Sequence, residues 1–199
     1  MKKAIFLDRD GVINPPVLDK RTKECEPPVT LRDYQLYPWT ADSLKKLQRS
    51  GFELFIISNQ PGYAKGNVRV LQDLIDIGVF AETLLSVEGV KITASYYCYH
   101  HPNGVVPSFA IKCDCRKPNA LFIYEAAKDY DIDLESSWMI GDRDTDIECG
   151  ERAGTKTILL ETEESADRRG ESIPTYTALN LGIAANMILT SLLRAQAAQ

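Results

Sequence analysis

Two aspartates, Asp8 and Asp10, follow an apolar run near the start of the chain, in the sequence AIFLDRDGVI from Ala4 to Ile13. The run is typical of a buried strand, and Gly11 allows a tight turn directly after it. Side chains two residues apart on an extended strand point to the same side, so both carboxylates can serve one site. Two buried negative charges repel each other unless a cation or a shared proton offsets the repulsion. By itself, the pattern indicates either a solvated Asp-rich turn or a cation-binding carboxylate pair.

Two later apolar runs also end in polar residues. The first of them is followed by Ser58 and Asn59, and the second leads into GDRDTD, which contains Asp142 and Asp146. In open α/β sheets, ligands bind outside the carboxyl ends of the strands. We therefore expect these side chains to lie beside Asp8.

The residue types at these strand ends suit phosphate chemistry assisted by a metal. Carboxylate oxygens are the ligands that a hard divalent cation such as Mg²⁺ requires. Ser58 and Asn59 can donate hydrogen bonds to phosphate oxygens, and Lys117, directly before Pro118, adds a positive charge. Each residue alone has a plain explanation as a turn, a solvated side chain or a helix start. Their occurrence in this order, each at the end of an element, favours a common site.

A second cluster combines three cysteines with one histidine at short spacing. Its members are Cys98, His100, Cys113 and Cys115. Three thiolates and one imidazole form a tetrahedral zinc set that is closed to substrate and therefore structural. The alternative is free thiols in a loop, but this loop has no evident core and a metal would stabilise it. We expect His101 not to be a ligand, and Cys25 and Cys149 to be unpaired.

Strands and helices alternate along the chain, which predicts a doubly wound parallel α/β sheet. The strands after the first are expected at 52–57, 94–99, 138–140 and 156–160. The helices are expected from Thr40 to Gly51, at 68–87 with a break near Gly78, from Pro118 to Tyr130, at 146–153 and at 178–197. Thr40 is the predicted cap of the first helix. Residues 14–38, rich in proline, are a predicted surface excursion over the strand end that carries Asp8.

Composition narrows the class of protein further. The 199 residues suit one domain, which we place at 1–199 with a core at about 4–161, followed by an irregular polar stretch and a terminal helix. A net charge of −5 with no long basic run argues against a nucleic-acid or anionic-membrane partner. The apolar stretch before Asp8 is too short for a signal peptide, so we expect a cytoplasmic protein, with a monomer favoured.

The set DRDGV, SNQ, the lysine of CRKP, and GDRDTD resembles the four signature motifs of the haloacid dehalogenase superfamily, over residues from about Ala4 to Leu160. This resemblance implies a Rossmann-like core without a large cap domain. It also implies a phosphatase that works through an aspartyl-phosphate, with a small phosphate ester as its substrate.

The same resemblance implies roles for the motif residues. Asp8 would be the nucleophile, and Asp10 would protonate the leaving alcohol and then deprotonate the attacking water. The Asp8 carboxylate, the Asp10 backbone carbonyl and Asp142 would hold Mg²⁺. Ser58 and Lys117 would hold the transferring group. Asp146 would position its neighbours.

The zinc loop narrows the resemblance to the subgroup that contains heptose-bisphosphate and histidinol-phosphate phosphatases. In this subgroup three loops restrict the site: here the excursion, residues 62–66 and the zinc loop. Arg116 would face the substrate beyond the scissile phosphate, and Lys65 would assist. Lys65 stands where the heptose enzymes more often have Arg, and Arg143 where they tend to have Lys.

Because of these two differences, the motifs do not decide which phosphate ester is the substrate. The leading hypothesis is a Mg²⁺-dependent phosphomonoesterase that hydrolyses D-glycero-D-manno-heptose 1,7-bisphosphate, a small sugar phosphate. Histidinol phosphate is the alternative within the same chemistry. An inactive zinc-bearing interaction domain is the alternative of another class.

Overall fold

The computed structural model describes residues 1–18 and 24–197, with side chains as far as residue 194. The strands of its main sheet are β1 (Lys3–Leu7), β4 (Phe52–Asn59), β5 (Ala94–Cys98), β6 (Trp138–Gly141), β7 (Lys156–Leu160) and β8 (Tyr176–Ala178). The short strands β2 (Val17–Leu18) and β3 (Cys25–Glu26) pair antiparallel in a second, two-stranded sheet. The helices are α1 (Thr40–Arg49), α2 (Leu71–Val87), α3 (Leu121–Tyr130), α4 (Asp144–Ala153) and α5 (Leu181–Ala197).

The six strands are parallel and lie in the order β5-β4-β1-β6-β7-β8. The chain first builds outward from β1 through β4 and β5, then returns to the other side of β1 through β6 and β7. β1 therefore marks the point where the strand order reverses, which is where ligands bind in doubly wound sheets. This architecture confirms the predicted fold class, and the described residues include no separate cap domain.

Alternating side chains of the strands belong to two apolar layers, one on each face of the sheet. On one face, Ile5 and Leu7 pack with residues of α1 and α5. On the other, Ala4 and Phe6 pack with residues of α3 and α4. Because both faces are covered, the strand β1 is apolar throughout its buried part, as expected for a parallel sheet.

Several predicted boundaries are corrected by tertiary contacts. The helix α2 continues through Gly78. The absence of a side chain at this position leaves room for the ring of Tyr97. Thr40 is the first helical residue rather than the cap, and its hydroxyl donates to the carbonyl oxygen of Ile13. Pro118 lies before α3 rather than in its first turn.

The polar stretch after β7, predicted to be irregular, contains a short 3₁₀ helix (Glu163–Arg168) and the edge strand β8. The predicted surface excursion contains the antiparallel pair β2–β3, and its residue Tyr34 is buried against Ile77 and Ala81 of α2. No helix in the described part of the chain is both long and apolar enough to cross a bilayer.

Candidate active site

The polar ends of three neighbouring strands meet at one edge of the sheet. Asp8 follows β1, Ser58 and Asn59 end β4, and Asp142 follows β6. β1 pairs with both β4 and β6, so these ends are adjacent. Asp8 and Asn59 line a cavity of about 720 Å³ at this edge.

Lys117 is the buried cation of this site. Its Nζ lies 2.9 Å from Oδ1 of Asp8 and 2.6 Å from Oδ1 of Asp146. It also donates to the carbonyl oxygen of Ile57 at 2.7 Å. Burial lowers the pKa of Lys117, but the attraction of Asp146 and Asp8 outweighs it, so the pKa lies above its usual value. The ammonium is therefore charged at every physiological pH.

Three buried carboxylates lie close together here, and two of them contact this ammonium. Oxygens of Asp8, Asp142 and Asp146 lie within 4.8 Å of one another. Burial opposes ionisation of Asp8, yet Lys117 and Arg143 outweigh it and hold its pKa below the usual value. The pKa of Asp142 is instead raised to about 8, by burial and then by repulsion from Asp146 and Asp8.

This charge imbalance fits a divalent cation. Among the described residues, no donor forms a hydrogen bond with Oδ1 of Asp142, although the atom is buried. Arg143 comes no closer to it than 3.8 Å, through Nε. Buried carboxylate oxygens without donors are the ligand type that Mg²⁺ prefers. The residues present therefore suit Mg²⁺.

Gly11 is the residue that lets Asp142 approach. It has a φ of +89°, and a Cβ on it would overlap the carboxylate of Asp142. The turn after β1 therefore requires glycine for two reasons: its backbone conformation and the space it leaves for Asp142.

Asp10 has its own set of donors. Its carboxylate accepts hydrogen bonds from Gln60 at 2.6 Å, from Asn14 at 2.9 Å and from Arg9 at 3.1 Å. Both Asp8 and Asp10 line the cavity, as the two-residue spacing predicted, but the Asp10 carboxylate lies outside the cluster of three.

Arg9 is fully buried, a placement that we did not predict. Its guanidinium lies 5.7 Å from the ring centre of Tyr34 and 5.8 Å from that of Tyr97. It also donates to Oε1 of Gln60 at 2.8 Å. The only available signal was an arginine flanked by two aspartates at the end of an apolar strand.

Ser58 and Asn59 lie at the end of β4, as predicted, but their contacts differ. The Ser58 hydroxyl accepts from Gln60 at 3.0 Å and helps to lower the pKa of Asp8 through a hydrogen bond. The amide of Asn59 accepts from the backbone N–H of Lys117 and donates to its carbonyl oxygen, both at 3.1 Å. Asn59 therefore holds the backbone of Lys117 in place.

The predicted outer residues Lys65, Arg116 and Arg143 all line the cavity. Nη1 of Arg116 donates to the carbonyl oxygen of His100 at 3.1 Å, which ties it to the Cys/His loop. Oδ2 of Asp146 accepts from the backbone N–H of Arg143 at 3.1 Å. Asp146 thus contacts both Lys117 and the start of α4.

The Cys/His cluster also comes together. Sγ of Cys115 lies 3.3 Å from the sulfurs of both Cys98 and Cys113, and 3.5 Å from Nδ1 of His100. Zn–S bonds of about 2.3 Å place the sulfurs of a tetrahedral site roughly 3.8 Å apart, close to this spacing. Burial, followed by the neighbouring thiols, raises the pKa of Cys115, and a bound cation would relieve that effect.

The remaining histidine and cysteines lie outside this cluster. Nδ1 of His101 accepts from the backbone N–H of Asn103 at 3.2 Å. Cys25 and Cys149 form no disulfide, and the Cys149 thiol donates to the carbonyl oxygen of Asn119.

Comparison with known proteins identifies the family. A family model described as HAD-hydrolase-like matches residues 114–184. The chain is 39% identical over 160 residues to D-glycero-alpha-D-manno-heptose-1,7-bisphosphate 7-phosphatase from Photorhabdus laumondii. The aligned part covers 79% of this chain and 81% of that protein. The chain belongs to this family of hydrolases. The resemblance drawn from the four motifs is thereby confirmed.

A second relative and a solved structure are also similar to this chain. The chain is 36% identical over 172 residues to D-glycero-beta-D-manno-heptose-1,7-bisphosphate 7-phosphatase from Haemophilus ducreyi, covering 85% of this chain and 89% of that protein. The fold matches that of the D,D-heptose 1,7-bisphosphate phosphatase from B. bronchiseptica with a TM-score of 0.77. That alignment covers 95% of this chain and 99% of the other, at 24% identity.

Proposed function

We propose that this chain is a Mg²⁺-dependent phosphomonoesterase that removes the 7-phosphate of D-glycero-D-manno-heptose 1,7-bisphosphate through an aspartyl-phosphate. The family relatives carry this activity in their names. The observation that supports it most directly is the contact of Lys117 with both Asp8 and Asp146, beside Asp142, whose buried Oδ1 has no hydrogen-bond donor among the described residues. This arrangement supplies an ionised nucleophile next to a cation-binding carboxylate.

Asp8 attacks the phosphorus atom, and the bond from phosphorus to the alcohol oxygen breaks. Asp10 donates a proton to that leaving oxygen, then accepts one from the water that hydrolyses the aspartyl-phosphate. Lys117 and Ser58 hold the phosphoryl group in the line of attack. Because the pKa of Asp8 is low, its carboxylate is a nucleophile at neutral pH.

The Asp8 carboxylate, the Asp10 backbone carbonyl and the Asp142 carboxylate would hold Mg²⁺. The B. bronchiseptica phosphatase was crystallised as a complex with magnesium and phosphate. When bound, Mg²⁺ offsets the repulsion between the nucleophile and the phosphoryl oxygens. The Cys/His cluster would hold a structural zinc ion. We further propose that the chain acts as a cytoplasmic monomer on a small phosphate ester, without a nucleic-acid or membrane partner.

The test compares phosphate release from both anomers of the bisphosphate, from histidinol phosphate and from p-nitrophenyl phosphate, with and without Mg²⁺. We expect the highest kcat/KM for one anomer of the bisphosphate, and activity only with the metal. Asp8→Asn should lower kcat by a factor of at least about 1,000 on every ester. Asp42→Asn, an exposed aspartate on α1, is the matched control and should leave kcat unchanged.

Two outcomes would contradict the proposal. A higher kcat/KM for histidinol phosphate than for the bisphosphate would show that the proposed substrate is wrong, although the proposed reaction would stand. Equal inactivity of the wild type and Asp8→Asn on all esters would favour the inactive interaction domain.

A further inference from the structure

Two adjacent arginines outside the signature motifs reach the cavity that contains Asp8. Arg168 ends the 3₁₀ helix after β7 and Arg169 follows it, and both line this cavity. Both are partly buried. The polar stretch after β7 therefore contributes cations to the same space as the proposed catalytic carboxylates.

Asp144 holds the stretch that follows these arginines. Its carboxylate accepts hydrogen bonds from the backbone N–H groups of Gly170 at 3.3 Å, Glu171 at 3.0 Å and Ser172 at 3.2 Å. It also accepts from the Ser172 hydroxyl at 2.6 Å. Burial raises the pKa of Asp144, but these donors outweigh it and lower the pKa, so the anchor is ionised at neutral pH. A single carboxylate thus binds three consecutive residues.

This anchor fixes the arginines relative to the phosphoryl site. Asp144 is the first residue of α4, and Asp142 precedes that helix by two positions. The contacts of Asp144 therefore tie the segment directly after the arginines to the start of α4, beside the carboxylate cluster. Two cationic sites in one cavity suit a ligand with two phosphates.

The guanidinium groups are oriented by neutral carbonyl groups. Nη2 of Arg168 donates to the carbonyl oxygen of Cys25 at 3.4 Å, and Nη1 of Arg169 donates to that of Leu160 at 3.2 Å. These contacts position the guanidinium groups without cancelling their charge. Asp167 lies 3.8 Å from Nε of Arg168, but its side chain is 78% exposed, so water screens this pair.

We propose that Arg168 and Arg169 form a second anion subsite that binds the phosphate which is not hydrolysed. Each guanidinium presents a planar set of donors that matches phosphate oxygens in a bidentate manner. The subsite rests on the proposed function, because it requires a bisphosphate substrate.

The test compares two esters that differ only in the distal group: the 1,7-bisphosphate and the heptose 7-phosphate. In the double variant Arg168→Gln/Arg169→Gln, we expect KM for the bisphosphate to rise about tenfold, with kcat within twofold of the wild type. The kinetic constants for the 7-phosphate should stay unchanged. Arg49→Gln, an exposed arginine on α1, is the matched control and should alter neither substrate.

Two further variants act on the same subsite without touching the guanidinium groups. Asp167→Asn removes a negative charge beside Arg168, so KM for the bisphosphate should fall by roughly twofold. Ser172→Ala removes one donor from the Asp144 anchor, so the same KM should rise by roughly twofold to threefold. Opposite shifts from these two substitutions would distinguish an electrostatic subsite from a general loss of folding.

The failure of the subsite and the failure of the proposed function give different results. If the wild type prefers the bisphosphate but the double variant keeps the wild-type ratio of KM values for the two esters, the subsite is wrong and the function stands. If both esters lose kcat/KM equally in the double variant, the arginines support the fold only, and the subsite is again wrong. If the wild type does not hydrolyse the bisphosphate, both proposals fail.

Discussion

At the scale of single residues, the site is organised by an excess of buried carboxylate over buried cation. Lys117 contacts Asp8 and Asp146, while Asp142 has a buried oxygen for which the described residues supply no hydrogen-bond donor. Such an arrangement is unfavourable unless a proton or a metal ion offsets it. The same charge balance that would bind Mg²⁺ should therefore make the metal-free protein sensitive to pH.

The first prediction concerns Asp142 in the metal-free protein. Its folded-state pKa of about 8 lies above the ordinary value of 3.8, so the folded state holds this proton more tightly than the unfolded state. The stability that this proton contributes is complete below about pH 4 and is lost as the pH rises towards about 8. Mg²⁺ needs the ionised carboxylate, so its affinity should rise over the same window.

We therefore expect the increase in Tm on adding MgCl₂ to be larger at pH 8.5 than at pH 6. Thermal unfolding of the protein with EDTA and with MgCl₂ at both pH values measures this difference. Asp142→Asn has no carboxyl to ionise and should show a small increase that does not depend on pH. An equal increase at both pH values in the wild type would contradict the assignment.

The second prediction concerns Gly11. The substitution Gly11→Ala puts a side chain at positive φ and into the space of the Asp142 carboxylate. Gly154→Ala is the matched control, because Gly154 also has positive φ but a Cβ there would meet nothing within 4 Å. Both should lose about 1–2 kcal/mol of stability from the backbone alone. Only Gly11→Ala should also weaken Mg²⁺ binding and lower kcat, as measured by a Mg²⁺ titration of activity.

At the scale of elements, the Cys/His loop leads from the end of β5 into Lys117. Cys98 is the last residue of β5, and Cys115 stands two positions before Lys117. Asn59 then holds the backbone of Lys117 against the end of β4. A metal in the cluster would therefore fix the segment that delivers the lysine.

The third prediction follows from this connection. Purified protein should contain about one equivalent of zinc per chain, by metal analysis. Cys113→Ser should lose the zinc, make residues 99–116 sensitive to protease and lower kcat, while the far-UV circular dichroism of the sheet and helices is kept. Cys25→Ser, which changes a cysteine outside the cluster, should keep the zinc. A fully folded, zinc-free wild type with a protease-resistant loop would refute the structural zinc site.

At the scale of the whole molecule, the segment after β7 completes the core. The strand β8 extends the sheet beyond β7, and α5 buries Leu181, Ala184, Ala185 and Ile188 completely. These residues belong to the same apolar layer as Ile5 and Leu7 of β1. The terminal helix therefore belongs to the same apolar layer as the strand that leads to the proposed nucleophile, and it packs on α1, β7 and β8.

The fourth prediction tests this packing. Ile188→Ala leaves a cavity at a fully buried position and should lower the free energy of unfolding by about 2–5 kcal/mol. Leu193→Ala on the same helix changes a side chain that is 67% exposed, and should cost much less. Urea unfolding monitored by circular dichroism measures both. Equal small losses would show that α5 is only loosely attached to the core.

Much of this molecule could be predicted from local patterns. Apolar runs bounded by turn residues placed the strands β4, β6 and β7 close to their observed positions, since fully buried strands must be apolar throughout. The polar residues at the ends of β4 and β6 lie together because the carboxyl ends of parallel strands meet at one edge of the sheet. The Cys/His spacing likewise anticipated the observed cluster.

Other features depend on contacts between distant residues and had no local signal. The strand β8 has only three residues, two of them exposed, so its position comes from pairing with β7. Arg9 looks like a surface residue until Tyr34 and Tyr97 enclose it. Arg168 and Arg169 reach the cavity because Asp144 binds backbone groups 26 to 28 positions away. Periodicity and spacing report which residues share an element, whereas these placements arise from hydrogen bonds and packing between elements, which form only once the chain has folded.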